Sequence, residues 1–220
     1  MKAVIFDMDG VLFDTERIYL EDWTKLFKKY GYNFKREVYI SLMGKGRKTV
    51  KETFKKEFGQ DLPIDEMYIE KDKLLFDRYE KDGIPLKEGA IELLDFLRKN
   101  KYKIAIATSA KKNRLEIQVK KGGIESKFDA FVCSDDITKN KPDPEVFLAA
   151  AKKLNVLPED CFVIEDSSAG IEAAYKANMK GLHVKDLKKA DEFILKSCYK
   201  NFNDLIEIKG YFENLGPNCD

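Results

Sequence analysis

The chain has no C-x-x-C pair, no internal repeat, no low-complexity tract and no excess of charge of either sign. Each absence excludes something. The four cysteines, Cys133, Cys161, Cys198 and Cys219, are scattered, so neither a zinc-binding spacing nor a disulfide framework is visible. Free thiols in a reducing compartment are expected. Forty basic side chains nearly cancel 39 acidic ones, leaving a net charge of +1. A protein that lives on nucleic acid or an anionic membrane carries a surplus of Lys and Arg, so neither partner is expected. No stretch approaches the ~20 apolar residues that cross a bilayer. The opening run MKAVIFDMDG is too short for the apolar core of a secretion signal, and a cytoplasmic location is expected. The single histidine, His183, falls on a candidate strand, where a structural role is expected.

What is present describes a globular enzyme-sized chain. Of 220 residues, 44% are hydrophobic and 36% charged, enough for one domain or for a core carrying a small insertion. Short apolar runs at Ala3–Asp7, Tyr102–Ala107, Ala130–Cys133, Phe162–Glu165 and Gly181–Val184 alternate little, as strands covered on both faces do. Between them lie helical patterns. Ile91, Leu94, Leu97 and Arg98 share one face; Val146, Phe147, Ala150 and Leu154 share another. Asp143 followed by Pro144 suits a helix start. The alternation predicts a parallel α/β sheet with right-handed crossovers.

The rhythm breaks between about Thr15 and Gly83, where only helical patterns occur. Tyr19, Trp23, Leu26, Phe27 and Tyr30 mark one helix, Phe54 and Phe58 a second, and Met67, Leu74, Leu75 and Arg78 a third. A crossover of nearly 70 residues exceeds what one helix requires, so an inserted all-helical domain is expected at 15–83, with 1–14 and 84–220 forming the core. The segment from Lys185 to Asp220 offers only some helix.

Ligands of an open parallel sheet bind at the carboxyl ends of its strands. The residues there are Asp7 and Asp9, Thr108 and Ser109, Lys141 in a later loop, and Glu165 with Asp166. Singly they are weak signals: acidic pairs two apart arise roughly seven times by chance in this composition. Asp9 alone could be a turn carboxylate ahead of Gly10. Thr108 or Ser109 could be a helix N-cap, Lys141 a solvated lysine, and Glu165–Asp166 a turn with a cap. Together they are what phosphoryl transfer needs. A hard divalent cation takes carboxylate oxygens, which Asp7 and Asp166 can supply. A carboxylate can be the nucleophile, and Asp9, two residues on in an extended segment, points to the same side and can reach the leaving oxygen. Lys141, the Thr108 hydroxyl and loop amides can cradle the phosphoryl charge, and Gly10 lets the backbone approach it.

Four segments then match a known pattern in order and at similar spacing. FDMDGVLFDT at 6–15 resembles the first motif of the haloacid dehalogenase superfamily, IATS at 106–109 its second, KPDP at 141–144 its third and VIEDSSAGI at 163–171 its fourth. The resemblance covers Met1 to about Val184. It implies a Rossmann-like core with helices on both faces, a helical cap, and membership of the β-phosphoglucomutase-like phosphatase branch. Residue by residue it implies Asp7 as nucleophile and metal ligand and Asp9 as acid and base with its carbonyl on Mg²⁺. Thr108 and the Ser109 amide would bind phosphate, and Lys141 would bind phosphate and neutralise the nucleophile. Asp166 would ligate Mg²⁺, with Glu165 a second or water-mediated ligand. The implied partner is a small phosphorylated metabolite, and the chain is expected to be a monomer.

The leading expectation is a Mg²⁺-dependent phosphatase acting on a phosphosugar through an aspartyl-phosphate on Asp7. The alternative is β-phosphoglucomutase itself. In that isomerase a cap histidine controls the acid/base, and the corresponding position here is Tyr19. A dehalogenase lacks the second aspartate of the first motif, and a non-catalytic protein would cluster carboxylates to no purpose. Specificity is expected from the basic, glycine-rich stretch Met43–Lys48, with Arg47 holding the non-reacting end of the substrate. The run from Lys111 to Arg114 is expected to be a solvated helix face.

Overall fold

The computed structural model describes residues 2–43, 45–188 and 190–216. Cys219 and Gly44 lie outside them. Among the described residues the sheet has six strands, all parallel, in the order β3-β2-β1-β4-β5-β6. They are β1 (Ala3–Phe6), β2 (Lys103–Ala107), β3 (Ala130–Val132), β4 (Cys161–Glu165), β5 (Lys180–Val184) and β6 (Lys200–Phe202). Five match expected strands within a residue or two; β6 lies in the segment left unassigned. Its short sequence KNF, with only Phe202 buried, carries no apolar run from which a strand can be read.

Alternation along each strand builds the two sides of the core. Ala3 and Ile5 of β1, with Ala105, Ala107 and Val163, pack against α7 (Glu145–Leu154) and α8 (Ser168–Lys176). Val4 and Phe6, with Ile104, Ile106, Phe162 and Ile164, pack on the opposite side among residues of α5 (Ala90–Lys99) and α10 (Leu205–Asn214). The first side is rich in alanine, which lets α7 and α8 lie close to the sheet; the second fills its space with Phe and Leu. Val146, Phe147, Ala150 and Leu154 are all buried, as their spacing predicts. Asp143 serves the start of α7 by accepting the Glu145 amide at 3.1 Å. The remaining core helices are α6 (Lys112–Lys121) and α9 (Glu192–Ser197).

Between β1 and α5 stand four helices, α1 (Thr15–Lys29), α2 (Arg36–Leu42), α3 (Arg47–Phe58) and α4 (Ile64–Asp82). The sequence reading expects three. Helix α2 is missed because its seven residues bury only Tyr39 and Leu42, too short a stripe to register as periodic. These helices hold together around rings: Trp23 meets Phe54 at 5.2 Å and Tyr68 at 4.9 Å, and Phe27 meets Phe58 at 4.6 Å. Each such ring removes ~150–250 Å² from water, roughly 4–6 kcal/mol of gross burial at ~25 cal/mol per Å². The two chain segments that flank the insertion are held together by Asp14 N–H to Pro85 C=O and Lys87 N–H to Leu12 C=O, both 2.9 Å. No helix among the described residues is long and apolar enough to cross a membrane.

Candidate active site

The order of the strands reverses between β1 and β4, and the candidate residues gather there. Phe6 pairs with Ile106 on one side and Ile164 on the other. That register places Asp7 beside Glu165, and the Asp7 amide donates to the Ile164 carbonyl at 3.0 Å. Ligand oxygens of Asp7, Glu165 and Asp166 lie within 4.8 Å of one another, all three residues buried. Lys141 reaches into this group. Its ammonium donates to Asp7 Oδ1, to the Ala107 carbonyl at 3.2 Å and to Glu165 Oε1 at 3.5 Å. It is 7% exposed, so it is not a solvated lysine.

The electrostatics follow from burial. Burial alone would pull the Lys141 ammonium down, but the Asp7 and Glu165 carboxylates outweigh it and hold it above the ordinary lysine value. Burial pushes Glu165 up to about 7, with Lys141 opposing and Asp7 adding to the push. Burial, then the charges of Glu165 and Asp7, drive Asp166 well above the usual carboxylate range. An all-oxygen donor set under this mutual repulsion fits a hard divalent cation, whose charge would relieve it.

Local sequence explains how the carboxylates are held. Ser167 donates to Glu165 Oε1 at 2.9 Å while accepting the Gly170 amide at 3.1 Å as the N-cap of α8. Position 170 must be glycine, because a Cβ there would collide with the Glu165 carboxyl group. His183 is fully buried; Asp166's backbone oxygen is 3.2 Å from its Nε2 and Asn201 Oδ1 is 2.5 Å from its Nδ1. Burial lowers its pKa against the two contacts, which raise it, and the ring braces the Asp166 main chain. The expected structural role of His183 agrees with this placement.

Thr108 is buried next to the cluster, its hydroxyl accepting the Ala110 amide at 3.1 Å. Neither Thr108 nor Ser109 caps α6, whose N-cap is Lys111. Gly10 has φ +78° and stands against Asp166: a Cβ there would lie 2.6 Å from its Oδ2. Only glycine tolerates both the dihedral and the closeness.

Asp9 has the fullest set of partners. Its Oδ1 accepts the Thr15 hydroxyl at 2.6 Å, the Tyr19 hydroxyl at 2.9 Å and the Gln118 amide at 3.3 Å; its Oδ2 accepts Arg114. Gln118 also donates to Tyr79 at 3.3 Å. Arg114 therefore does not belong to a solvated face, contrary to expectation. Its neighbours Lys111 and Lys112 are exposed, but Arg114 leans over the Tyr19 ring at 5.2 Å and burial lowers its pKa to about 10. Arg114 and Gln118 are four apart and share one helix face, but nothing in that spacing points to Asp9.

Arg47 opens α3. It donates to Asp72 at 2.7 Å and lies over the Tyr68 ring at 4.4 Å. The loop before it faces the core: a Cβ on Gly46 would lie 3.9 Å from Asn140 Nδ2, the residue preceding Lys141. Glu16, which sequence reading passed over, is buried in the same region and accepts the Tyr39 hydroxyl at 2.7 Å. Burial raises its pKa to about 7 against the Tyr39 bond, which lowers it. Between its ordinary 4.5 and 7 the folded protein keeps a proton that the unfolded chain has released. Stability then falls as pH rises through that window, by up to about 1.4 kcal/mol per pH unit for one proton. Melting curves of Glu16→Gln should be flatter than the parent's across this range. Parallel curves would show that Glu16 is not the group responsible.

A parallel α/β core of this strand order, with acidic side chains at the switch point and a helical insertion after β1, defines a fold family, and the comparisons identify it. Residues 4–184 match the family of haloacid dehalogenase-like hydrolases, so the chain belongs to that family and is an enzyme. Over 187 residues it is 33% identical to the phosphorylated carbohydrates phosphatase of Thermotoga maritima, covering 83% of this chain and 84% of that protein. It is 33% identical over 188 residues to the β-phosphoglucomutase of Bacillus subtilis, with 81% of each covered. The crystal structure of β-phosphoglucomutase from Clostridium difficile superimposes with a TM-score of 0.78 at 29% identity, covering 97% of this chain and 96% of that one.

Proposed function

We propose that the protein is a Mg²⁺-dependent phosphatase that hydrolyses a small phosphate monoester, a phosphosugar, through an aspartyl-phosphate on Asp7. The observation that supports it most is the closed group of Asp7, Lys141, Glu165 and Asp166 at the switch point, with Asp9 two residues from the nucleophile. Asp7 attacks phosphorus, and the ester oxygen leaves with a proton from Asp9. Asp9 then takes a proton from water, whose oxygen displaces Asp7 and releases phosphate. Lys141 steadies the carboxylate of Asp7 and, with Thr108 and the Ser109 amide, the phosphoryl oxygens. Asp7, Asp166, Glu165 and the Asp9 carbonyl would hold Mg²⁺, which when bound neutralises charge on the transferring group.

Tyr19 favours hydrolysis over the mutase reading. A phenol donating to Asp9 cannot serve as the histidine of the isomerase does, because it does not change charge near neutral pH. Residues 15–83 act as the cap that selects substrate, over a core comprising 1–14 and 84–220. The test is a panel of phosphosugars and nucleotides assayed with Mg²⁺ and with EDTA. Release of phosphate from a sugar ester, lost in EDTA and blocked by Ca²⁺, is expected, because the looser Ca²⁺ shell spoils in-line geometry. Undiminished turnover in chelator would refute the metal assignment, and isomerisation without phosphate release would favour the mutase.

Arg47 tests the cap. Its guanidinium is held by Asp72 beside the Tyr68 ring, presenting its remaining donors to hydroxyls or a second anionic group. Arg47→Ala should lower kcat/KM for the best sugar phosphate by ~10-fold or more and p-nitrophenyl phosphate hydrolysis much less. Equal losses on both would mean that Arg47 serves folding or closure instead.

A further inference from the structure

The loop after β5 carries a carboxylate that neither the sequence motifs nor the mechanism uses. The Asp186 side chain is fully buried. Its Oδ1 accepts the Lys87 ammonium at 2.6 Å, while its Oδ2, also buried, has no hydrogen-bond partner among the described residues. An unpaired buried carboxylate oxygen is costly and rare. Its position gives the reason. From the point where a Cβ on Gly10 would stand, Asp166 Oδ2 is 2.6 Å away and Asp186 Oδ2 is 3.2 Å away. The two oxygens thus converge on the space that a side chain at Gly10 would fill.

Charge counting points the same way. Four buried carboxylates, Asp7, Glu165, Asp166 and Asp186, meet two buried or half-buried lysines, Lys141 and Lys87. Acids outnumber bases there, an imbalance that a divalent cation would offset.

We propose that Asp186 is a further carboxylate of the metal centre, one that accepts a hydrogen bond from a cation-bound water through Oδ2, with Lys87 a competing positive charge on Oδ1. Mg²⁺ keeps several waters and dehydrates reluctantly, so an acceptor just beyond the direct ligands is what such an ion can use. Outer partners of this kind change metal affinity by ~10–100-fold. The proposal rests on the reading of the site as a divalent-cation site.

The competing explanation is that Asp186 merely anchors Lys87, which follows the helical insertion in the chain and also approaches Asp14 at 3.9 Å. Two variants separate them. Mn²⁺ binding is measured by electron paramagnetic resonance and calorimetry on the parent, Asp186→Asn and Lys87→Met, with melting curves alongside. Asp186→Asn should weaken Mn²⁺ by ~10-fold or more. Lys87→Met should bind it at least as tightly as the parent, since a competing positive charge is gone. Unchanged affinity in Asp186→Asn overturns the proposal, and so does an equal loss in both variants, which would make the pair a structural anchor. Should Asp186→Asn fail to fold, Lys87→Met still decides: weakened Mn²⁺ binding there overturns it. If the parent itself binds no Mn²⁺, the divalent-cation reading fails first, an outcome distinct from a parent that binds and an Asp186→Asn variant that binds equally well.

Discussion

Asp7→Asn should be catalytically dead, with turnover down by ~10³-fold or more, yet folded and no less stable than the parent in the absence of metal. The loss follows from chemistry: an amide cannot displace an ester oxygen at phosphorus, and it ligates a hard cation poorly. The retained stability follows from the charges around it. Asp7 contributes to raising both Glu165 and Asp166, so removing its charge relieves repulsion in a group that holds more carboxylates than lysines. Lys141 keeps the Glu165 contact at 3.5 Å and the Ala107 carbonyl at 3.2 Å, which limits the cost of losing its principal partner. Rapid acid quench should trap phosphate on the parent protein and none on the variant. Phosphate trapped on Asp7→Asn, or more than a small percentage of activity retained in it, would take the nucleophile's role from Asp7. A variant that melts far below the parent would show that the Asp7–Lys141 pair holds the fold.

The sheet and the acidic site were legible for one reason: strand ends announce themselves. Ala3–Phe6 and Cys161–Glu165 are apolar runs that stop at charged residues, and in a parallel sheet every such stop lies on the same edge. Asp7, Glu165 and Asp166 could be placed together from that pattern alone. The partners of Asp9 could not. Arg114 and Gln118 sit on α6, among lysines that are exposed, and only the fold shows that α6 runs past the start of α1, where Thr15 and Tyr19 reach the same carboxylate. Asp186 was hidden differently. It stands in a charged stretch with no periodicity, just after β5, and its importance lies in an unpaired oxygen, which is a property of space and not of sequence. Strand β6 and helix α2 are too short for burial to leave a pattern.

Asp9→Asn should lower turnover by ~10²–10⁴-fold, the usual worth of a positioned general acid and base, and the size of the fall should depend on the leaving group. A sugar alkoxide is a poor leaving group and needs the proton that Asp9 delivers; p-nitrophenolate leaves well without it. The first half-reaction should therefore suffer less with p-nitrophenyl phosphate, which would phosphorylate Asp7 and then stall, because the substituted amide cannot take the proton from the attacking water. A burst of p-nitrophenol followed by a slow steady rate is the expected trace. The fold should tolerate the change. The amide oxygen of the variant can still accept from Thr15 and Tyr19, as Asp9 Oδ1 does at 2.6 and 2.9 Å. What is lost is the ionic partner of Arg114, which leaves a partly buried guanidinium with Gln118 Oε1 at 3.4 Å, at a cost of about 1–3 kcal/mol. Equal slowing of sugar phosphate and p-nitrophenyl phosphate in Asp9→Asn, with no burst on either, would mean that Asp9 supports the site's architecture and transfers no proton.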